Sequence, residues 1–302
     1  MNLASFGLSR RPFRPTPDTE SYFSAPSHDA AVASLIAGYE NRDGIALVDG
    51  QTGVGKTIVG LRFLESLPPT VPRVMIPAAR FSKPSELYQA ILFDIGAPYQ
   101  GLSEHELRLA VTDQLLGGLA SGHPTALVLD EAQHLGADLL EEIRMLGNLE
   151  TRCTKAAFVV LLALPPLRDR LGGADAAAFA QRVGVRSRVE PLSRDAAAGY
   201  LRHQVRACGA DPQELITDEA LSIFASHCGG IPRILNRSAS LALALAAAAG
   251  ERVLDAEAAT EAVSQLGLRE EPEDPNVLPH PAQPAVRRAV PAKARTPKRR
   301  SA

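Results

Sequence analysis

IALVDGQTGVGKTIVGLRFLESL, residues 45 to 67, is the stretch whose reading decides the fold. Ile45 to Gly50 is a short apolar run ending in glycine, the pattern of a buried strand, and TIVGLRFLESL repeats its apolar positions at helical spacing. Between them Gly50-Gln51-Thr52-Gly53-Val54-Gly55-Lys56-Thr57 fits G-x-x-x-x-G-K-[ST], a loop between strand and helix. Its glycines let the backbone wrap a phosphate closely, and the N–H groups of the helix start face negative charge. Lys56 is then placed to reach the β and γ phosphates, and Thr57 to hold Mg²⁺. A turn that merely opened a structural helix would have no use for Lys followed by Thr. Gly50 to Thr57 together with Ile58 are the expected cradle, and ATP with Mg²⁺ the expected ligands.

The pattern extends outward on both sides. A helix over His28 to Tyr39 precedes the strand. RVMIPAA reads as a second strand, and a helix opens near Ser82 and stops at Gly96. Residues 103 to 120 are helical, Ala126 to Ala132 is a third strand, DLLEEIRMLGNLE a helix and Phe158 to Leu164 a fourth strand. Continuous apolar strands alternating with amphipathic helices predict an α/β fold with a parallel sheet covered on both faces. After about residue 191 the strands cease, and four helical stretches follow up to Gly267. The expected organisation is an ordered, aromatic-rich arm over 1–27, a nucleotide-binding core over 28–190, a small all-α lid over 191–268 and a disordered Pro-rich, basic tail over 269–302.

The third strand runs into Asp130 and Glu131. Adjacent carboxylates at the end of a buried strand are the second half that a phosphate loop requires: Asp130 on the Mg²⁺ side, Glu131 as a base for water. A strand entering a polar loop also produces such pairs by itself. Phosphoryl transfer further needs positive charge on its transition state. Arg182 and Arg186 in AQRVGVRSRV, and Arg233 after Gly229-Gly230-Ile231-Pro232, are the candidates, although each read alone is a solvated arginine.

Composition narrows the setting. With 45% hydrophobic and 22% charged residues over 302 positions, the chain is globular and long enough for about two packed units. Its net charge of −2 averages an acidic EEPEDP and seven Lys or Arg between Arg287 and Arg300. Cys153, Cys208 and Cys228 are odd in number and lack paired ligand spacing, so they read as buried small hydrophobes in a reducing compartment. The N-terminus places Pro where a secretory signal needs an apolar core. The apolar stretch Leu241 to Ala249 is far short of the ~20 residues that cross a bilayer. A cytoplasmic protein without a transmembrane segment, peripheral to the inner membrane at most, is the expectation.

In order along the chain, FGLSRRPFRPTPD with Tyr22-Phe23, the phosphate loop, LVLDEAQHL, EEIRMLGNLET, ALPPLRDRL, AQRV, EPLS and GGIPRILN resemble the AAA ATPases of the general secretion pathway protein A type, related to transposition ATPases with a DEAQ-type core. The resemblance runs from about Phe6 to about Leu268. It implies an ATP-hydrolysing AAA core with a helical lid, Arg182 as an arginine finger, Arg233 as a lid arginine sensing the γ phosphate, and Phe13 to Tyr22 along the adenine side. It places Gln133 and His134 just past the hydrolytic pair, with Gln133 helping to orient water. One departure is Ala163-Leu164-Pro165-Pro166-Leu167, where such proteins carry a polar residue, commonly Gln. A leucine side chain cannot bond the attacking water, which moves the sensor to Asn148 or removes it and implies slow turnover. A second is the charged tail where secretion-type members continue into a transmembrane helix and a peptidoglycan-binding module.

Two functions follow. The first is an oligomeric ATPase whose nucleotide state drives assembly or remodelling of a partner protein in a secretion or cell-envelope machine. The second is a DNA-associated ATP-dependent regulator whose basic tail grips phosphates without reading sequence. The same tail suits an anionic membrane surface, or no partner at all.

Overall fold

The computed structural model describes residues 3–151, 154–173 and 176–270. Cys153 and the tail from 271 onward, including the basic run, lie outside the described residues.

Helix α1 (Pro26–Glu40) leads into β1 (Ile45–Asp49), and α2 (Lys56–Ser66) follows the phosphate loop. Next come β2 (Arg73–Ile76), α3 (Pro84–Ile95), α4 (Glu104–Ala120), β3 (Thr125–Leu129) and α5 (Ala137–Asn148). A small hairpin of β4 (Glu150–Thr151) and β5 (Thr154–Lys155) precedes β6 (Ala157–Ala163), α6 (Pro165–Leu171), α7 (Ala177–Ala180) and β7 (Val183–Arg188). The five long strands form one parallel sheet in the order β2-β3-β6-β1-β7.

Every residue of β1, β3 and β6 is buried, which is why these strands read as unbroken apolar runs. Because successive side chains point to opposite faces, each strand supplies two cores. Ile45, Leu47, Leu127, Val159 and Leu161 pack with α3, α4 and α5. Ala46, Val48, Val128, Phe158 and Val160 pack with α1 and α2, where the rings of Tyr39, Phe63 and Phe158 meet edge to face at 5.8 to 6.4 Å.

The fifth strand, β7, is a correction, since the sequence reads as four strands. It lies at the sheet edge, pairs with β1 alone and buries only Val183 fully, so its residues alternate with arginines instead of forming an apolar run. The hairpin and α6, α7 are likewise too short to leave a periodic signal.

The helical layer comprises α8 (Arg194–Ala207), the single turn α9 (Pro212–Leu215), α10 (Asp218–His227), α11 (Pro232–Ala249) and α12 (Ala256–Gln265). Hydroxyl caps start two of them: Ser193 accepts from Ala196 N and Thr217 from Ala220 N. The N-terminal arm packs into this layer. Phe6, Leu8, Phe13 and Ala25 share a core with Leu201, Phe224 and Leu235. Ser9 donates to Cys208 O through both its main-chain N–H (2.9 Å) and its hydroxyl (2.8 Å). Asn236 and Gln204 donate to Arg14 O and Ser21 O, each at 3.0 Å. Cys208 and Cys228 are buried. Among the described residues no helix is long and apolar enough to cross a membrane.

Candidate functional site

Parallel strands bring their carboxyl ends to one edge of the sheet, and that edge is where open α/β sheets bind ligands. Here it gathers the phosphate loop after β1, Asp130 and Glu131 after β3, and Leu164 after β6. Gly50 N–H donates to Ala163 O (3.2 Å), pinning the loop to the neighbouring strand. Gly53 (φ 81°) and Gly55 (φ 110°) make the two left-handed turns that wrap the loop, and α2 starts immediately after without a side-chain cap. The N–H groups of its first turn therefore have no partner within the helix.

Lys56 is buried, and its ammonium donates to Gly50 O (3.0 Å) and Gln51 O (2.9 Å) of its own loop. Burial holds its pKa below the ordinary value against the pull of Asp130, Glu131 and Asp49. Thr57 Oγ1 donates to Asp130 Oδ2 (2.5 Å), and Glu131 N–H donates to Asp130 Oδ1 (2.8 Å). Burial raises the Asp130 pKa, and these two hydrogen bonds oppose the shift. A cradle of free N–H groups, an ammonium satisfied only by loop carbonyls, and a hydroxyl against a carboxylate fit a polyphosphate with a divalent cation.

The cleft beside the loop is lined by arm residues 10–18 and 21–23, by Tyr200 and Gln204 of α8, and by Arg233 and Asn236 of α11. Arg233 N–H donates to Gly53 O (3.2 Å), which seats the first turn of α11 on the phosphate loop. Gln51 and Thr52 are exposed at the loop tip, while Val54 is fully buried and Ile58 faces the cleft.

Arg182 and Arg186 do not join this group. Arg182 directly precedes β7, whose first residue pairs with Ile45, so it sits at the amino ends of the strands, near Glu150, whose pKa is lowered first by its Lys155 hydrogen bond and only weakly by Arg182. Arg186 donates to Ala180 O (2.9 Å). Asn148 is also at that edge: the adjacent Gly147 packs on Gly44 O and Ile45, the entrance to β1. A sensor role for Asn148 is thereby excluded in this arrangement, because the length of β1, roughly 15 Å at about 3.3 Å per residue, separates it from the loop.

Several contacts around the site were not read from the sequence. Asp49, buried at the end of β1, pairs with Arg188 (3.2 Å) and Arg168 (3.5 Å). His28 Nε2 lies 2.8 Å from Val54 O, so the buried imidazole supports the loop from behind as a donor, with its pKa lowered by burial. Gln133 Nε2 donates to Glu131 Oε2 (2.5 Å) while its Oε1 accepts from Leu164 N–H (3.1 Å). Arg80 Nη2 lies 3.2 Å from His134 Nε2, which is 4.0 Å from Glu131. Asp49 had a sequence signal as an acid directly before the loop, and the resemblance had placed Gln133 and His134 just past the acid pair; the partners they meet, and the parts of His28, Arg80, Arg168 and Arg188, depend on which strand ends become neighbours.

Comparison with known proteins agrees with this geometry. A family model described as an AAA domain matches residues 39–171. General secretion pathway protein A of Aeromonas hydrophila is 32% identical over 270 residues, covering 88% of this chain and 49% of the relative, so the chain spans about half that relative's length. Among solved structures, the Aeropyrum pernix ORC2 protein in ADPNP-ADP complexes superposes with a TM-score of 0.63 at 17% identity, over 79% of this chain and 66% of that one. Cdc6p from Pyrobaculum aerophilum gives 0.62 at 18% identity over 79% and 68%. Domain III of the Thermotoga maritima replication initiation protein DnaA gives 0.58 at 17% identity over 84% and 98%. At those identities the structural likeness is one of fold. The chain thus matches an AAA domain over residues 39–171 and is similar to general secretion pathway protein A over most of its own length.

Proposed function

We propose that this protein binds and hydrolyses ATP and couples its nucleotide state to the assembly or remodelling of a partner protein in a secretion or cell-envelope machine. The observation that carries the reading is the convergence in one cleft of Lys56, the Thr57–Asp130 pair, Glu131 and, from the helical layer, Arg233. Residues Gly50 to Ile58 hold the phosphates through main-chain N–H groups. Lys56 turns from its loop carbonyls to the β and γ phosphates, and Glu131 orients or deprotonates the water that attacks the γ phosphate in line. Mg²⁺, held by Thr57 and Asp130, would neutralise phosphate charge when bound. Arg233 adds positive charge from the lid. Arg182, remote from its own cleft, serves the site of a neighbouring protomer in a homo-oligomer. The domain limits 1–27, 28–190, 191–268 and 269–302, and a cytoplasmic location peripheral to the inner membrane, belong to the same proposal.

The test is ATP hydrolysis against protein concentration for the wild type, Arg182→Ala and Glu131→Gln. Activity should rise faster than linearly and be lost in Arg182→Ala, while Glu131→Gln should bind ATP and retain it. Strictly linear activity from a monomer would sink the arginine-finger assignment, and turnover unaffected by Glu131→Gln would sink the role of Glu131. The DNA-associated reading rests on the basic run Arg287 to Arg300. Duplex DNA and anionic vesicles added to the same assay decide between it and a membrane surface, and no response to either leaves the run a solvated end.

A further inference from the structure

We propose that Gln133 is the positioning residue for Glu131, and that it takes its own position from the main-chain N–H of Leu164, where a leucine side chain has nothing to offer. The inference rests on the reading of Glu131 as the group that orients water.

The argument starts from the amide. Either end of a glutamine side chain can face a partner, but only its oxygen can accept from a backbone N–H. The Leu164 N–H at 3.1 Å therefore turns the Gln133 NH₂ toward Glu131 Oε2, at 2.5 Å. Both ends of the amide are engaged, so Gln133 holds the glutamate instead of contacting water itself. The constraint matters because the Glu131 side chain is 44% exposed and its main chain, at φ 57° and ψ 34°, sits in a left-handed turn at a strand end. Without a partner the carboxylate would sample several rotamers, and each rotamer that points away removes it from the γ phosphate.

The anchor is itself tied to the rest of the site. Leu164 caps the start of α6, whose Arg168 reaches Asp49 at the base of the phosphate loop. Arg170 of the same helix donates to Gln133 O (3.4 Å) and Leu135 O (2.6 Å). A shift of α6 would thus move the Gln133 anchor, and through it Glu131, relative to the loop. The sequence departure at Leu164 is compensated by the backbone of the same residue.

Leu164 offers an unusual test. Its φ of −76° already suits proline, and the preceding Ala163 is in a strand, so Leu164→Pro removes the N–H without demanding a new backbone conformation. Gln133→Ala, Leu164→Pro and their combination are compared for kcat, nucleotide affinity and melting temperature, with Leu164→Ala as the reference that keeps the N–H. Gln133→Ala and Leu164→Pro should each lower kcat roughly 10- to 100-fold, the loss typical when a group that orients a reactive ligand is removed. Nucleotide affinity should stay within about twofold, the signature of an interaction made only in the reaction step. The double variant should be no slower than either single one. Hydrogen exchange at the Leu164 amide, read by NMR on the full chain, needs no turnover. Gln133→Ala should speed it by about fivefold, the factor one hydrogen bond of about 1 kcal/mol corresponds to. Unchanged exchange, or lowered melting temperature with wild-type kcat, overturns the inference. A wild type without ATP turnover overturns the reading beneath it, and the exchange measurement still decides whether Gln133 is tied to Leu164.

Discussion

At the scale of single residues, the site is a set of buried charges whose cost is offset locally. Lys56 and Asp130 are both displaced by burial toward their neutral forms and drawn back by each other's charge. A bound polyphosphate would give Lys56 a better partner than two loop carbonyls, so Lys56→Ala should weaken nucleotide binding by roughly 10- to 100-fold, as expected for a charge-assisted contact of about 1.5–3 kcal/mol. Titration with a fluorescent nucleotide checks this. Gly53 is constrained twice: its φ is 81°, and a Cβ there would lie 2.8 Å from Arg233 Cβ. Gly53→Ala should cost about 1–2 kcal/mol in urea unfolding from the left-handed backbone alone, and should loosen Arg233 from the loop. His28 sets a pH dependence. Its pKa lies below 6.5 in the folded chain because burial outweighs the Val54 hydrogen bond and the charge of Asp29. The unfolded chain therefore takes up the proton first, so the stability His28 contributes is present above about pH 6.5 and is lost as pH falls toward the folded value. His28→Gln keeps a donor for Val54 O but does not titrate. The stability gap between it and the wild type should shift in favour of the variant between about pH 7.5 and 5.5.

At the scale of elements, legibility followed burial. β1, β3 and β6 are buried on both faces and stand in the sequence as continuous apolar runs, and α2 to α5 keep their helical spacing. β7 is an edge strand and became visible only when its main chain paired with β1. The arm shows the opposite case: Phe6, Phe13 and Tyr22 announced an ordered segment, but not that it packs into the helical layer. Phe6 is 6% exposed within that core. Phe6→Ala should destabilise the protein by about 3 kcal/mol, measured as a lowered denaturant midpoint, because a phenyl-sized hole beneath α8 has little means to collapse. One wall of the cleft is thus carried by the arm and the helical layer, and the other by the phosphate loop and the strand ends of the sheet.

At the scale of the whole molecule, a nucleotide would bridge those two walls, so ATP should stabilise the chain as one body: about 2.7 kcal/mol at a ligand concentration 100 times Kd. Thermal melts with increasing ATP should show a single transition moving upward; two transitions, of which only one responds, would contradict a shared site. The proposed assembly also belongs to this scale, since Arg182 lies at the amino edge of the sheet, away from its own phosphate loop, while Arg233 sits on that loop. The sequence alone determined the phosphate loop, the acid pair that follows β3 and the alternation that builds a parallel sheet, because each is written in contiguous residues whose chemistry is local. It did not reveal that Asp49 meets Arg168 and Arg188, that His28 supports Val54, or that Gln133 spans from Glu131 to Leu164. Those contacts join residues up to 139 positions apart. Only strand order and register make them neighbours, and backbone donors such as the Leu164 N–H are present in every residue, so no residue type announces which of them the fold will use.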